Sequence, residues 1–344
     1  NGNYGLNASW TLYNGNKRLK TIQQEKLNNQ VAELDVATSE NNIQESIAQV
    51  YIQILYAAES VKVNENTLQV SIAQRDRGQE LLNAGSIAKS DFAQLEAQVS
   101  TDRYQLVTAQ ATLEDYKLQL KQLLELDGEN EMNIYLPALS DENVLAPLPT
   151  KKDVYISALS LRPEIEASKL NVEASELGIG IAKSSYLPTI SLSAGIGTNH
   201  TSGSDFTFGE QVKNGWNNSI GLSVSVPIFN NRQTKSAVQK AKLQYETSML
   251  SLLDEQKTLY KTIEGLWLDA NSAQQRYAAA NEKLKSTQIS YELISEQFNL
   301  GMKNTIELLT EKNNLLQARQ EQLQAKYMAI LNTQLLKFYQ GDQL

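Results

Sequence analysis

Residues that carry most enzyme chemistry are scarce in this chain. Among its 344 residues there is one histidine, His200, and no cysteine. That excludes a thiolate nucleophile, a Cys-based zinc site and a disulfide framework. His200 lies in a polar stretch with no second imidazole to complete a triad or a metal centre. Carboxylates are plentiful, but along a helix surface they usually form a solvated face. No catalytic, metal-binding or cofactor-binding residue is assigned, and the chain is not expected to be an enzyme. The groups that stand out by spacing are acids preceded by a glycine: Asp91 six positions after Gly85, and Glu307 six positions after Gly301, with Lys303 four positions before Glu307. On a helix the last two form an exposed i,i+4 ion pair.

The two glycines belong to a duplicated setting. Gly85 and Gly301 are 216 positions apart, and so are Asn83 and Asn299. The same shift lays Gly5–Asn14 on Gly221–Asn230, Lys26-Leu27 on Lys242-Leu243, and Leu120-Lys121 on Leu336-Lys337. A fixed offset of this kind marks an internal repeat. At each glycine a long helical pattern breaks and resumes, as expected where a residue free to adopt positive φ lets the chain reverse.

The expected organisation is therefore mainly α with a small β part, as two tandem repeats of strand, long helix, hairpin tip and returning helix. Repeat 1 covers 1–127, with a strand at 3–13, a long helix at 16–82, a tip at 83–89 and a helix at 90–126. A connector follows over 128–162, containing three of the six prolines. Repeat 2 covers 163–344, with a helix at 163–184, strands at 188–198 and 217–229, a long helix at 232–299, a tip at 300–303 and a helix at 304–340.

Ile43, Ile47, Val50, Ile54, Ala57 and Val61 alternate spacings of four and three, which is a coiled-coil seam. At 1.5 Å per residue the first long helix is about 100 Å in length. Phe92, Leu95, Val99, Leu106, Ala109, Leu113, Tyr116, Leu120 and Leu123 make a second seam, in which Asp102 is the one charged occupant. The outgoing helices are nearly twice as long as the returning ones. Something else must cover them near the strands, and the helix at 163–184 is suitably placed.

The strands alternate with period two. Leu6, Ala8, Trp10 and Leu12 are apolar between polar or small neighbours, as are Ile190, Leu192, Ala194 and Ile196, and Ile220, Leu222, Val224, Val226 and Ile228. Each run has the length of a tilted transmembrane β-strand. On that reading Leu6, Trp10, Leu192, Leu222 and Val224 face lipid and the odd positions face a lumen. A soluble antiparallel sheet with one buried face fits the alternation equally well.

A formal net charge of −8 without clustered Lys or Arg disfavours nucleic acid as a partner. No run reaches the apolar length of a membrane-spanning helix. The chain opens inside a strand-like pattern without a signal peptide, which leads to the expectation of a processed or truncated N-terminus.

Taken in order, these features resemble the TolC-type outer-membrane efflux channels. The carriers of the resemblance are Leu161 to Gly197, an Arg-Pro-Glu-Ile helix running into Tyr-Leu-Pro and a strand; "SVSVPIFN" running into a long helix; and the two glycine-to-acid tips. The resemblance implies an α-helical barrel joined to transmembrane β-barrel strands, with three chains forming the channel. It also implies four strands per chain, so that an N-terminal truncation here has removed the first. Its implied partners are a periplasmic adaptor (a membrane fusion protein), an inner-membrane pump, two further copies in a homotrimer, and outer-membrane lipid. It assigns adaptor docking to the tips, at Asn83, Gly85, Asp91, Asn299 and Gly301. It assigns a periplasmic entrance to Asp91, Phe298, Lys303 and Glu307. The alternative is a structural coiled-coil scaffold without a pore.

Overall fold

A computed structural model describes residues 1–126, 134–135 and 144–342. Part of the expected connector, 128–133 and 136–143, lies outside the described residues. The elements in order are β1 (Gly2–Asn14), α1 (Lys17–Asn83), α2 (Lys89–Leu123), α3 (Lys151–Leu161), α4 (Pro163–Ser184), β2 (Thr189–His200), α5 (Phe208–Asn214), β3 (Asn217–Ser225), α6 (Gln233–Asn299) and α7 (Thr305–Gln340). The fold is thus mainly helical with one small sheet.

The repeat offset is visible in the backbone itself. Helices α1 and α6 have 67 residues each, and a shift of 216 superposes their ends. Positive φ occurs at Gly15, Asn16, Gly85 and Glu125 in one copy and at Asn231, Arg232, Gly301 and Gly341 in the other, again 216 apart. Each strand thus enters its long helix through two consecutive left-handed residues. In the second copy both carry a Cβ, which makes that conformation costly for Arg232.

The sheet has the order β1-β2-β3 and is antiparallel throughout. Leu6 pairs with Ile196, Trp10 with Leu192, and Leu192 with Leu222, so even positions share one face across all three strands. The alternation expected from sequence fails at one place. A bulge between Thr11 and Tyr13 leaves Leu12 unpaired and sets Tyr13 opposite Ile190. An inserted residue reverses the side-chain parity beyond it, so the odd-numbered Tyr13 joins Ile190 on the apolar face. Strand β3 ends at Ser225 rather than at 229, because Pro227 has no N–H to give to a ladder.

The chain forms two compact units, Asn1–Ala37 with Pro163–Lys257, and Thr38–Arg162 with Thr258–Leu344. Each draws on both copies of the repeat. In the first, α4 lies along the start of α1: Gln24 Nε2 donates to the Ala174 carbonyl at 2.8 Å and Lys20 Nζ to that of Gly180 at 3.4 Å. The uncovered stretch of the outgoing helix therefore gains a neighbour, and Pro163 begins that neighbour with a φ already suited to a first turn.

In the second unit the core is a chain of apolar clusters. Val144, Ala273, Tyr277, Ala325, Ala329 and Ile330 form one, and Leu55, Leu323 and Tyr327 another. Burial raises the Tyr327 hydroxyl to about 12. Arg162, buried beside α3, pairs with Glu45 at 2.9 Å and lies 4.1 Å from the Tyr339 ring centroid. The α1 seam runs on beyond Val61 through buried Asn64, Leu68, Ser71 and Gly78. Polar and small occupants hide this stretch from a search for apolar residues alone.

Candidate functional site: the hairpin tips and the apolar sheet face

Both tips reverse by the same hydrogen bonds. At the first, the Gly85 amide donates to the Leu82 carbonyl at 3.0 Å and the Ser86 amide to that of Leu81 at 2.8 Å; at the second, Gly301 donates to Phe298 at 2.9 Å and Met302 to Gln297 at 2.8 Å. This is the paired closure of a Schellman ending, which needs a left-handed residue at the glycine. Both glycines have φ of 73°. Asn83 and Asn299 are the last residues of α1 and α6, directly ahead of these turns.

The acids that follow are held differently. Glu307 is the third residue of α7, and its amide donates to Asn304 Oδ1 at 2.9 Å while its Oε2 accepts from the Asn304 amide at 3.2 Å, closing a capping box. Its other oxygen accepts from Lys303 Nζ at 2.5 Å. The Lys303 hydrogen bond and the Asn304 amide hold this carboxyl below the usual carboxylate range. Asp91 has the same place in α2, but the residue at the cap is Ala88, whose side chain accepts nothing. Among the described residues no hydrogen bond or ion pair joins Asp91 to Lys303 or Glu307.

Phe298 departs from the expected entrance. It is 2% exposed and packs with Leu95 and Leu308, flanked by Leu81, Tyr291 and Leu309. An aromatic ring without a hydroxyl gains more from this apolar contact than from water, so Phe298 ties the helices together just above the tip instead of lining an open surface.

Sequence reasoning singled out Asp102 but missed what meets it. Ser71 from α1, Asp102 from α2 and Lys312 from α7 form a buried cluster in which the lysine donates to Ser71 Oγ and to Asp102 Oδ2, and the serine hydroxyl donates to that same Oδ2. Gln98 Nε2 adds a bond to the second Asp102 oxygen at 2.9 Å. Burial pulls the Lys312 ammonium below its ordinary value, and the contact with Asp102 opposes that shift. A lone acid on an apolar seam was the available signal, since a buried charge demands a partner. Nothing local pointed to Lys312.

On the sheet, the even face is uncovered among the described residues. Leu6 is 70% and Leu222 65% exposed, and Trp10 and Val224 are exposed as well, while Leu192 on the central strand is partly covered by its neighbours. Strands β1 and β3 also present open edges, which invite further pairing. No helix among the described residues is long and apolar enough to cross a membrane.

A model of the family described as outer membrane efflux protein matches residues 154–341, more than half of the chain. The chain is 24% identical over 294 residues to outer membrane efflux protein BepC of Brucella suis, covering 85% of this chain and 61% of that protein. To outer membrane protein TolC of Escherichia coli it is 23% identical over 311 residues, covering 88% and 62% respectively. The chain thus spans about three fifths of the length of these curated relatives. A crystal structure of CusC superposes with a TM-score of 0.83 at 20% identity, covering 98% of this chain and 77% of that one, which shows a shared fold.

Proposed function

Since the chain belongs to the outer membrane efflux protein family, we propose that it forms the outer-membrane channel of a tripartite efflux or secretion system. In this reading it is a passive trimeric duct for drugs or other small molecules across the outer membrane and periplasm. The observation that carries the reading is the uncovered apolar face of a sheet whose two edge strands are open. A contiguous exposed apolar face marks a surface that another apolar phase or partner covers, and open edge strands invite further pairing. Lipid on one face and barrel closure at both edges satisfy both at once.

The long hairpins then extend into the periplasm. Their tips, at Asn83, Gly85, Asp91, Asn299 and Gly301, receive a periplasmic adaptor that links the channel to an inner-membrane pump. Asp91, Lys303 and Glu307 sit at the entrance, and three copies of the acids concentrate negative potential there and favour cations. Phe298 serves the packing beneath them.

The assembled protein should conduct in planar bilayers, whereas a coiled-coil scaffold should not. Arg at Leu222 should cost assembly roughly 2 to 4 kcal/mol near the bilayer midplane, and Arg at Ser223 much less. Equal damage at both parities, or no conductance from an assembled wild-type protein, would remove the channel reading. In the same recordings Glu307→Gln should lower cation preference. Unchanged selectivity would leave Glu307 its capping role alone.

A further inference from the structure

The segment between β2 and β3 is a built structure. Helix α5 opens with a capping box in which the Glu210 amide donates to Thr207 Oγ1 and the Thr207 amide donates to Glu210 Oε2 at 2.9 Å. Gln211 fastens the loop ahead of it, accepting from the Thr201 amide and donating to the Phe206 carbonyl, each at 2.8 Å. Thr198 Oγ1 donates to the Val212 carbonyl at 3.0 Å, which seats the helix on the end of β2.

Parity reveals on which side of the sheet the helix lies. Phe208 meets the Tyr4 ring edge-on, centroids 6.3 Å apart, and the His200 ring at 5.1 Å. Tyr4, Thr198 and His200 are all even positions, in register with Leu6, Ile196 and Trp10 on the apolar face. The Phe208 end of the helix therefore lies on the apolar side, while Gly215 at its other end lies close to Asn199, of the opposite parity. Phe206 and Phe208 nevertheless remain exposed, as do Tyr4 and Trp216. Four exposed aromatics at one end of an apolar face, with Glu210 and Lys213 on the accompanying helix, have the composition of a membrane–water interface.

We propose that the β2–β3 loop is an in-plane lipid anchor, in which Phe206 and Phe208 enter the boundary between headgroups and acyl chains while Glu210 and Lys213 stay in water. The proposal rests on the barrel reading above, because it extends the lipid-facing surface of the strands. The partner is a bilayer surface, and continuity of the Tyr4–Phe208 contact with Leu6 and Trp10 is the reason for choosing it.

The absence of cysteine makes the test direct. Single variants Phe206→Cys, Phe208→Cys, Glu210→Cys and Lys213→Cys, with Leu222→Cys and Ser223→Cys as strand controls, are spin-labelled in the assembled protein. The protein is reconstituted in vesicles of phosphatidylcholine and phosphatidylglycerol. The ratio of accessibility to oxygen over a water-soluble nickel chelate should be several-fold higher at 206 and 208 than at 210 and 213, and should approach that at 222. Phe206→Cys keeps the Tyr4–Phe208 contact, so its result stands if the 208 variant loosens the loop. A low ratio at 206 with a high one at 222 refutes the anchor and leaves the barrel standing. Exclusion of both reagents at 206 places the loop against protein and refutes it too. Equal low ratios at 222 and 223 overturn the barrel reading, and the anchor with it.

Discussion

Helix α7 starts on Asn304, whose side chain accepts from the Glu307 amide, and ends on Gly341 at φ 112°. At the same two places of the repeat α2 has Ala88, which caps nothing, and Glu125, a bulky residue at φ 51°. Burial differs in the same direction. On α2 only Leu95, Val99, Asp102 and Leu120 are buried, whereas α7 buries residues along its whole length, from Thr305 and Leu308 to Leu336 and Tyr339. One helix of the pair is finished by its own chain. The other has weak ends and an exposed flank at Tyr104, Val107 and Leu118. Duplication preserved the path of the backbone while the stabilising side chains diverged.

The largest effect should come from what the two helices share. Lys312→Met leaves Asp102 buried without its cation and should cost about 3 to 5 kcal/mol, whereas Lys312→Met with Asp102→Leu should recover most of that loss. Hydrogen exchange in α2 and α7 should rise together in the single variant. Loss of protection in α7 alone would show that the pair does not join the copies.

Next are the reversals, where the copies should behave alike. A Cβ added at Gly85 or at Gly301 meets no atom within 4 Å, so the cost of Gly85→Ala or Gly301→Ala is that of a left-handed backbone, about 1 to 2 kcal/mol each. Clearly unequal losses, read from denaturation midpoints, would break the equivalence of the tips. The terminations should respond in opposite directions. Asn304→Ala should lose about 1 kcal/mol of α7 stability, while Ala88→Asn should gain a similar amount for α2. Glu125→Gly should add up to about 1 kcal/mol by relieving the left-handed strain. A gain for α2 only in the monomer, and none in the assembly, would mean that neighbours already supply what the caps lack.

The smallest effect concerns acid. The Glu307 carboxyl is held below its ordinary value, so its contribution is complete above the unfolded carboxylate range, near about 4.3. It is lost as pH falls through the lowered value of the folded state. The first turn of α7 should fray at that point, as seen in the exchange of the Leu308 amide, and Glu307→Gln should abolish this acid-dependent step.

Local features were largely legible from the chain alone. The offset of 216, the glycines at the reversals and the period-two strands each depend on neighbours within a few positions, and the structure reproduces the offset in helix ends and backbone angles alike. The capping box at Asn304 and Glu307 was also written locally, as Asn-Thr-Ile-Glu, although the spacing of Lys303 and Glu307 drew attention away from it. The sequence likewise specified the family through the order of its motifs, since each is a short run whose conformation follows from its own residues.

Tertiary structure decided which side chains meet across long separations. Phe298 left the entrance for the core because Leu95 and Leu308 come to it from other helices. Asp102 found its cation 210 positions away, a pairing that no periodicity encodes. The bulge at Leu12 changed which face Tyr13 occupies, because parity past an inserted residue is set by the partner strand. The Phe208 end of α5 came to lie on the apolar side for the same reason: a strand fixes its two faces only once it is paired, and only then does a loop have a side to choose.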